Sequence, residues 1–332
     1  MKIVFLDRKT IGEDIDLTKF HAFGDLVEYD FSTSQEIPAR IEDADIIITN
    51  KCNMNEETLA GAKNLKLICV TATGTNNLDK EYLEKRKIAW RNVAGYSTET
   101  VAQHTFALLF YLYENLAYYD AYVKEEKYVN DKMFTHFSKT FHQLAGKTWG
   151  IIGLGAIGKR VAEIATVFGC KVQYFSTSGR NHDSQYQEVD LQTLLKTSDI
   201  VSIHAPLTDD TLHLIGEKEL SQMKESAILI NVGRGPIIVE KDLADALDRG
   251  IIAAAGIDVL DTEPMSEDNP LRHIKDSTKL LITPHIAWAS VEARVRLMDI
   301  IYGQIKEFWK NSEDKIDRTM IWHKDSDRIT YV

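Results

Sequence analysis

Residues 148–163, TWGIIGLGAIGKRVAE, set an apolar run, a glycine turn and a helix-like segment in immediate succession. Gly153, Gly155 and Gly158 stand at G-x-G-x-x-G spacing. The first permits a tight turn, the second lets backbone approach a pyrophosphate, and the third lets helix and strand pack closely. A helix opening at Ala156 and Ile157 would aim unpaired N–H groups at phosphates. The stretch therefore predicts a dinucleotide-binding strand–turn–helix, which belongs in a parallel sheet with helical crossovers.

The rest of the chain follows that grammar. KIVFLD, LVEYD, DIIITN, LKLICVT and IAWRNV are short apolar or β-branched runs, separated by polar segments with helical spacing. A second alternation runs through TWGIIGL, KVQYF, DIVSIHAPL, AILINVG, AAAGIDVL and LLITPHI. The predicted class is α/β, with two doubly wound parallel-sheet domains. Residues 1–98 plus 292–332 are expected to form a flavodoxin-like substrate (catalytic) domain, and residues 99–291 a dinucleotide-binding Rossmann domain. STETVAQHTFALLFYLYENLAYYDAYVKEEKYV reads as one long bridging helix capped by Ser97 or Thr98. SVEARVRLMDIIYGQIKEFWKN reads as a last helix that returns to the first domain.

Charge and cysteine usage narrow the partners. With a formal net charge of -11 and no basic run longer than KRK at 85–87, a nucleic acid or an anionic membrane would meet mostly repulsion. Three cysteines with no C-x-x-C spacing indicate neither a disulfide framework nor a zinc site, so no metal is expected. The N-terminal apolar run is too short for a signal peptide and FALLFYLY too short to span a bilayer, which predicts a cytoplasmic protein.

In such a fold an acid at the end of the second strand takes the ribose hydroxyls and favours NAD. Here that position is Ser176, within STSGR. Ser176, Thr177, Ser178 and Arg180 can donate to a 2′-phosphate, so the expected cofactor is NAD(P)(H) with a lean to NADP(H). The alternative is a plain turn with a solvated arginine. Chemistry is expected beyond the carboxyl ends of the strands, in the crevice between the domains. Three strand ends there carry Arg234, Asp258 with Glu263, and His285. Arg234 can fork a carboxylate and polarise the neighbouring carbonyl. His285 can donate a proton to the carbonyl oxygen as hydride reaches carbon, and Glu263 can orient the imidazole and stabilise its cation. Together they describe reduction of a 2-oxo acid.

With TATGTNNLD, GYSTETVAQHT, LAGKTWGIIGLGAIGKRVA, HAPLT, NVGRG, GIDVL and ITPHIAWAS, in that order, the chain resembles the D-isomer-specific 2-hydroxyacid dehydrogenase family over nearly its whole length. TGTNNLD and TPHIAWAS look most like the glycerate dehydrogenase or hydroxypyruvate reductase branch. The resemblance implies a catalytic Arg, Glu and His at Arg234, Glu263 and His285. It implies that Asp258 meets the nicotinamide carboxamide, with His204, Pro206, Val232 and Gly233 from the neighbouring motifs also on the cofactor. It implies that the loop at Thr73, Gly74 and Thr75 helps bind the substrate carboxylate. Lys51 is a further candidate for that anion, with a solvated lysine as the alternative. Two departures stand out: Ser176 replaces the usual acid, and Ala156 sits where relatives often carry an arginine.

The substrate expected is a small 2-oxo or 2-hydroxy acid of the hydroxypyruvate or glyoxylate type. A D-lactate-type enzyme and a cofactor-gated, corepressor-like module are the alternatives. Formate enzymes of this fold carry glutamine at the position of Glu263, so the acid counts against that chemistry. The apolar segment 101–116 and the aromatic-rich stretch after it offer more apolar surface than one helix needs, which predicts a homodimer through the cofactor domains.

Overall fold

A computed structural model describes residues 1–326, with side chains as far as Lys310. The chain divides into two units, one formed by Met1–Tyr96 with the segment from Ala289 onward, the other by Ser97–Trp288. In the first, strands β1 (Lys2–Phe5), β2 (Asp25–Glu28), β3 (Ile46–Thr49), β4 (Leu67–Val70) and β5 (Ala89–Arg91) form a sheet of order β2-β1-β3-β4-β5. All its pairings are parallel. β3 and β4 are buried on both faces, as their unbroken apolar sequence requires. Short helices α1 (Ile37–Arg40), α2 (Glu56–Leu59) and α3 (Lys80–Lys85) make the crossovers.

The second unit holds α4 (Thr98–Tyr113), α5 (Leu116–Lys124), β6 (Thr148–Ile152), α6 (Ala156–Val167), β7 (Lys171–Phe175) and β8 (Gln187–Glu188). It continues through α7 (Leu191–Thr197), β9 (Ile200–Ile203), α8 (Glu217–Leu220), β10 (Ile228–Asn231), α9 (Glu240–Arg249), β11 (Ala254–Ile257) and β12 (Leu280–Ile282). Its seven strands are ordered β12-β11-β10-β9-β6-β7-β8, again all parallel. One face carries Leu108, Leu109, Val161 and Ala165 against Trp149, Ile151 and Ile230. The other carries Leu194, Leu220, Leu243 and Leu247 against Ile152, Val201 and Leu229. This is a doubly wound sheet. The direction of winding reverses between β6 and β9, where a ligand crevice is expected in such sheets.

The last helix, α10 (Val291–Ser326), packs on the first unit as its apolar face predicts. Tyr302 lies edge-on to Phe20 at 5.7 Å, and Gln304 donates to the Asn92 carbonyl at 2.9 Å. Among the described residues, no helix is long and apolar enough to cross a membrane.

The expected single long helix after Tyr96 is broken. Asn115 adopts φ 53°, a left-handed conformation that Asn tolerates better than most residues, and α5 starts afresh beyond it. Ser97 precedes the helix without a side-chain capping bond. The apolar residues of 101–112 are not spare surface: Val101, Phe106, Leu108, Leu109 and Leu112 are buried inside their own unit. The exposed apolar groups come later, at Val129, Phe134 and Phe137, up to 90% exposed at Phe134. The two-residue strand β8 is an addition that no run of the sequence announced.

Arg294 pins the start of α10. Its Nε donates to the Ala289 carbonyl at 2.9 Å, Nη1 to Ile11 at 3.0 Å and Nη2 to the Asp14 carboxylate at 2.9 Å. Arg294→Ala is expected to lower the stability of this unit by about 1–3 kcal/mol, because it leaves two carbonyls without their donor. Urea unfolding should show a lower midpoint, with a larger effect than in Asp14→Ala.

Candidate active site

Because the strands of the second unit are parallel, their carboxyl ends line one edge of the sheet. Gly153 follows β6, Ser176 follows β7, His204 follows β9, Arg234 follows β10, Asp258 follows β11 and His285 follows β12. The last three sit on adjacent strands, whose register sets Asn231 beside Ile257 and Ile257 beside Ile282.

His285 and Glu263 are brought together: imidazole Nδ1 lies 2.6 Å from Oε2, while Oε1 accepts the Leu260 N–H at 3.0 Å. Both carboxylate oxygens are thus committed, and Nε2 is the ring nitrogen left for proton transfer. His285 has φ 54°, and its N–H donates to the carbonyl of Asp258 at 2.8 Å. The Asp258 carboxylate is 1% exposed. It accepts from the Thr283 hydroxyl at 2.6 Å and from the N–H groups of Ile286 and Ala287 at 2.9 Å each. Burial pushes its pKa up, but hydrogen bonds from His104, Thr283, Ala287 and Ile286 outweigh this and hold the carboxyl below its ordinary value.

Arg234 is set by Asn231, whose side chain accepts from the Gly233 N–H at 3.0 Å and donates to the Arg234 carbonyl at 2.9 Å. The guanidinium bonds to the Gly233 carbonyl at 2.7 Å, and among the described residues no carboxylate pairs with it. In the first unit, Lys51 is exposed while its N–H donates to the buried Asp7 carboxylate at 2.7 Å. Thr73 donates from its hydroxyl to the Val93 carbonyl at 3.0 Å. Gly74 and Thr75 follow it in the loop beyond β4.

The glycine turn has the form its spacing predicts. Gly153 has φ 93° and lies so near Ala205 that an added Cβ would come within 2.8 Å of backbone. A Cβ on Gly158 would meet the Gly153 carbonyl at 2.3 Å, whereas one on Gly155 would meet nothing within 4 Å. Open space is therefore kept where the turn faces outward, at the N-terminus of α6, which has no side-chain cap. Ile157 packs on the core behind it, and Ala156 begins the helix. Ser176 has a buried hydroxyl without a partner among the described residues. Thr177, Ser178 and Arg180 continue as a turn, with Arg180 exposed. Pro206 is exposed, and Val232 and Gly233 are buried.

A model of the D-isomer specific 2-hydroxyacid dehydrogenase NAD-binding domain matches residues 106–287. A hydroxypyruvate reductase of Blautia hydrogenotrophica is 37% identical over 94% of this chain and 98% of its own. A glycerate dehydrogenase of Methylorubrum extorquens is 38% identical over 92% and 96%. The chain belongs to the D-isomer-specific 2-hydroxyacid dehydrogenase family. Among solved structures, an acyclic imino acid reductase in complex with NADPH and D-Arg aligns with TM-score 0.81 at 30% identity, covering 94% of this chain and 98% of that one. As a D-2-hydroxyacid dehydrogenase, the protein is an oxidoreductase that uses a nicotinamide cofactor. The glycine cradle, the uncapped helix terminus and the unpartnered Ser176 hydroxyl fit that group. Among the described residues, no cluster of His, Cys, Asp or Glu is built to hold a metal.

Sequence reading passed over Asn231, His104, Thr283 and Asp7. A signal existed for two of them, since an Asn ending a buried apolar strand and a Thr two residues before His285 both need a hydrogen-bonding reason. His204 offers a test of this dehydrogenase. Burial pushes its pKa down to about 3, and its buried Nδ1 has no partner among the described residues. A histidine held neutral when folded favours the unfolded state once that state protonates. Stability should therefore fall as pH drops below about 6.5, by up to about 1.4 kcal/mol per pH unit from this residue, until the folded value is reached. In chemical unfolding between pH 6 and 4, His204→Gln should lose less stability than the parent; equal slopes would contradict the neutral assignment.

Proposed function

We propose that this dehydrogenase reduces a small 2-oxo acid, of the hydroxypyruvate or glyoxylate type, to the D-2-hydroxy acid, with NADPH preferred over NADH, and runs the reverse reaction. The observation that carries the reading is the 2.6 Å pair of His285 and Glu263, two strands away from an arginine with no carboxylate partner among the described residues. The similarity to a hydroxypyruvate reductase and a glycerate dehydrogenase supports the substrate class.

When bound, the reduced nicotinamide supplies the hydride that reaches the C2 carbonyl carbon. Arg234 holds the substrate carboxylate and draws electron density from the carbonyl oxygen. Within the first unit, Lys51 and the loop at Thr73, Gly74 and Thr75 are the candidates for binding a substrate anion. His285 Nε2 gives its proton to the carbonyl oxygen as the C–O π bond opens, so hydride and proton together complete the alcohol. Glu263, bound to Nδ1, keeps the ring oriented and balances its positive charge before transfer. Gly155, Ala156 and the backbone of α6 would hold the pyrophosphate, with His204, Pro206, Val232, Gly233 and Asp258 near the nicotinamide half. His285→Ala should lower turnover by about 10²- to 10⁴-fold while fluorescence titration shows the reduced cofactor still bound. Arg234→Ala should raise KM for the 2-oxo acid and lower kcat as well. Wild-type turnover in His285→Ala would sink the mechanism.

The cofactor preference rests on the buried, unpartnered hydroxyl of Ser176 and on Thr177, Ser178 and Arg180 beside it. The 2′-phosphate of NADPH would gain donors that NADH cannot use. Ser176→Asp should reduce kcat/KM with NADPH roughly ten- to hundredfold and spare NADH, since a carboxylate repels the phosphate. A wild type that prefers NADH, with an unchanged cofactor ratio in Arg180→Ala, would return STSGR to a plain turn.

We further propose a homodimer through the second unit, in the cytoplasm. The exposed Val129, Phe134 and Phe137, all within nine residues of sequence, are the apolar groups that a partner copy would cover. Light scattering should give twice the 37.7 kDa chain mass, and Phe134→Ser with Phe137→Ser should shift it toward the monomer.

A further inference from the structure

His104 stands on α4 among apolar residues that face the sheet, and the proposed chemistry gives it no task. Its Nε2 lies 2.9 Å from the Thr283 hydroxyl and 3.5 Å from Asp258 Oδ1. Thr283 in turn lies 2.6 Å from the same Oδ1. Counting protons fixes the directions. An ionised carboxylate only accepts, so the single hydroxyl proton of Thr283 goes to Asp258. The hydroxyl can then only accept from His104, which means that Nε2 carries a hydrogen.

What hangs on this chain is the backbone of the reacting histidine. The N–H of His285 donates to the Asp258 carbonyl, and the next two N–H groups donate to the Asp258 carboxylate. His285 itself is left-handed at φ 54°, a conformation that a residue with a Cβ keeps only when its surroundings hold it. Asp258 can hold it only while the carboxylate keeps its own place, and that place is set from the far side by Thr283 and His104.

We propose that His104 is a positioning residue: as an Nε2–H donor it fixes the Thr283 hydroxyl on Asp258, and through Asp258 the backbone that aims the His285 imidazole. The proposal rests on the reading of His285 as the proton donor. It distinguishes His104 from a residue that merely fills the core, for which a side chain of similar bulk would serve.

The test compares His104→Leu, which removes the donor, with His104→Gln, whose amide N–H reaches a similar position. With glyoxylate and NADPH, His104→Leu should lower kcat about tenfold or more, since small misplacement of a reacting group is costly. KM and the dissociation constant of NADPH should stay within about threefold, and His104→Gln should restore kcat to within about threefold of wild type. Equal losses in both variants, or none in His104→Leu, would overturn the proposal. If His104→Leu does not fold, Thr283→Val breaks the same chain one link later and must reproduce the loss. Spectra of protein labelled with ¹⁵N-histidine should show a protonated Nε2 on His104. The amides of Ile286 and Ala287 should shift in His104→Leu and recover in His104→Gln. An unprotonated Nε2 or unmoved amides would overturn the proposal without reference to activity. His285→Ala in the same assay separates the two ideas: wild-type turnover there would defeat the reading of His285, while ring and amide signals still decide the role of His104.

Discussion

The parallel direction of the strands is the constraint on which everything else rests. Once β6 commits the second sheet to parallel pairing, each strand must be reached by a crossover, and every strand ends at the same edge. The glycine turn, Ser176, Arg234 and His285 come from segments far apart in sequence. They share an edge because no other place is open to the carboxyl end of a parallel strand. Burial of both sheet faces stiffens the strands, so that the loops inherit fixed starting points.

Fixed starting points do not fix the loops, and each unit solves this with a buried carboxylate. Asp7, just beyond β1, accepts the N–H groups of Asn50 and Lys51 in the loop that follows the neighbouring strand β3. Asp258, just beyond β11, does the same for Ile286 and Ala287 beyond the neighbouring β12. The two differ in how the charge is supported. Asp7 relies on backbone N–H groups and the Thr49 hydroxyl, which do not offset its desolvation, and its pKa is raised. Asp258 adds His104 and Thr283, and its pKa is lowered. Asp258 is the anchor that stands under the loop carrying His285.

The parts of this arrangement that were legible in sequence are those with a local cause. Gly153, Gly155 and Gly158 act through backbone geometry within six residues, and the apolar runs announce buried parallel strands by composition alone. The left-handed turn at Asn115 escaped notice because the apolar pattern continues across it into Leu116, while one dihedral angle divides the helix. β8 has too few residues to carry a pattern. His104 was out of reach for another reason, since its partner Thr283 lies 179 residues away and meets it only after α4 packs on the sheet. Asp258 was found, but not its grip on the loop beyond β12, because backbone N–H groups have no sequence signature.

The charge balance at the strand ends follows from the same geometry. The chain carries 50 acidic side chains against 39 lysines and arginines, so a cation has carboxylates at hand almost everywhere. Arg8, Arg40, Arg160 and Arg294 each reach one. Among the described residues Arg234 does not: Asn231 and the buried Gly233 hold its backbone at the end of β10. Glu263 is committed to His285 and Leu260, and Asp258 to the loop beyond β12. The net charge of -11 is spread over the surface and screened beyond about 8 Å at physiological salt. The unneutralised guanidinium and the open N-terminus of α6 act within that distance. Among its described residues an overall acidic protein thereby leaves one guanidinium without a carboxylate partner and one helix terminus without a side-chain cap.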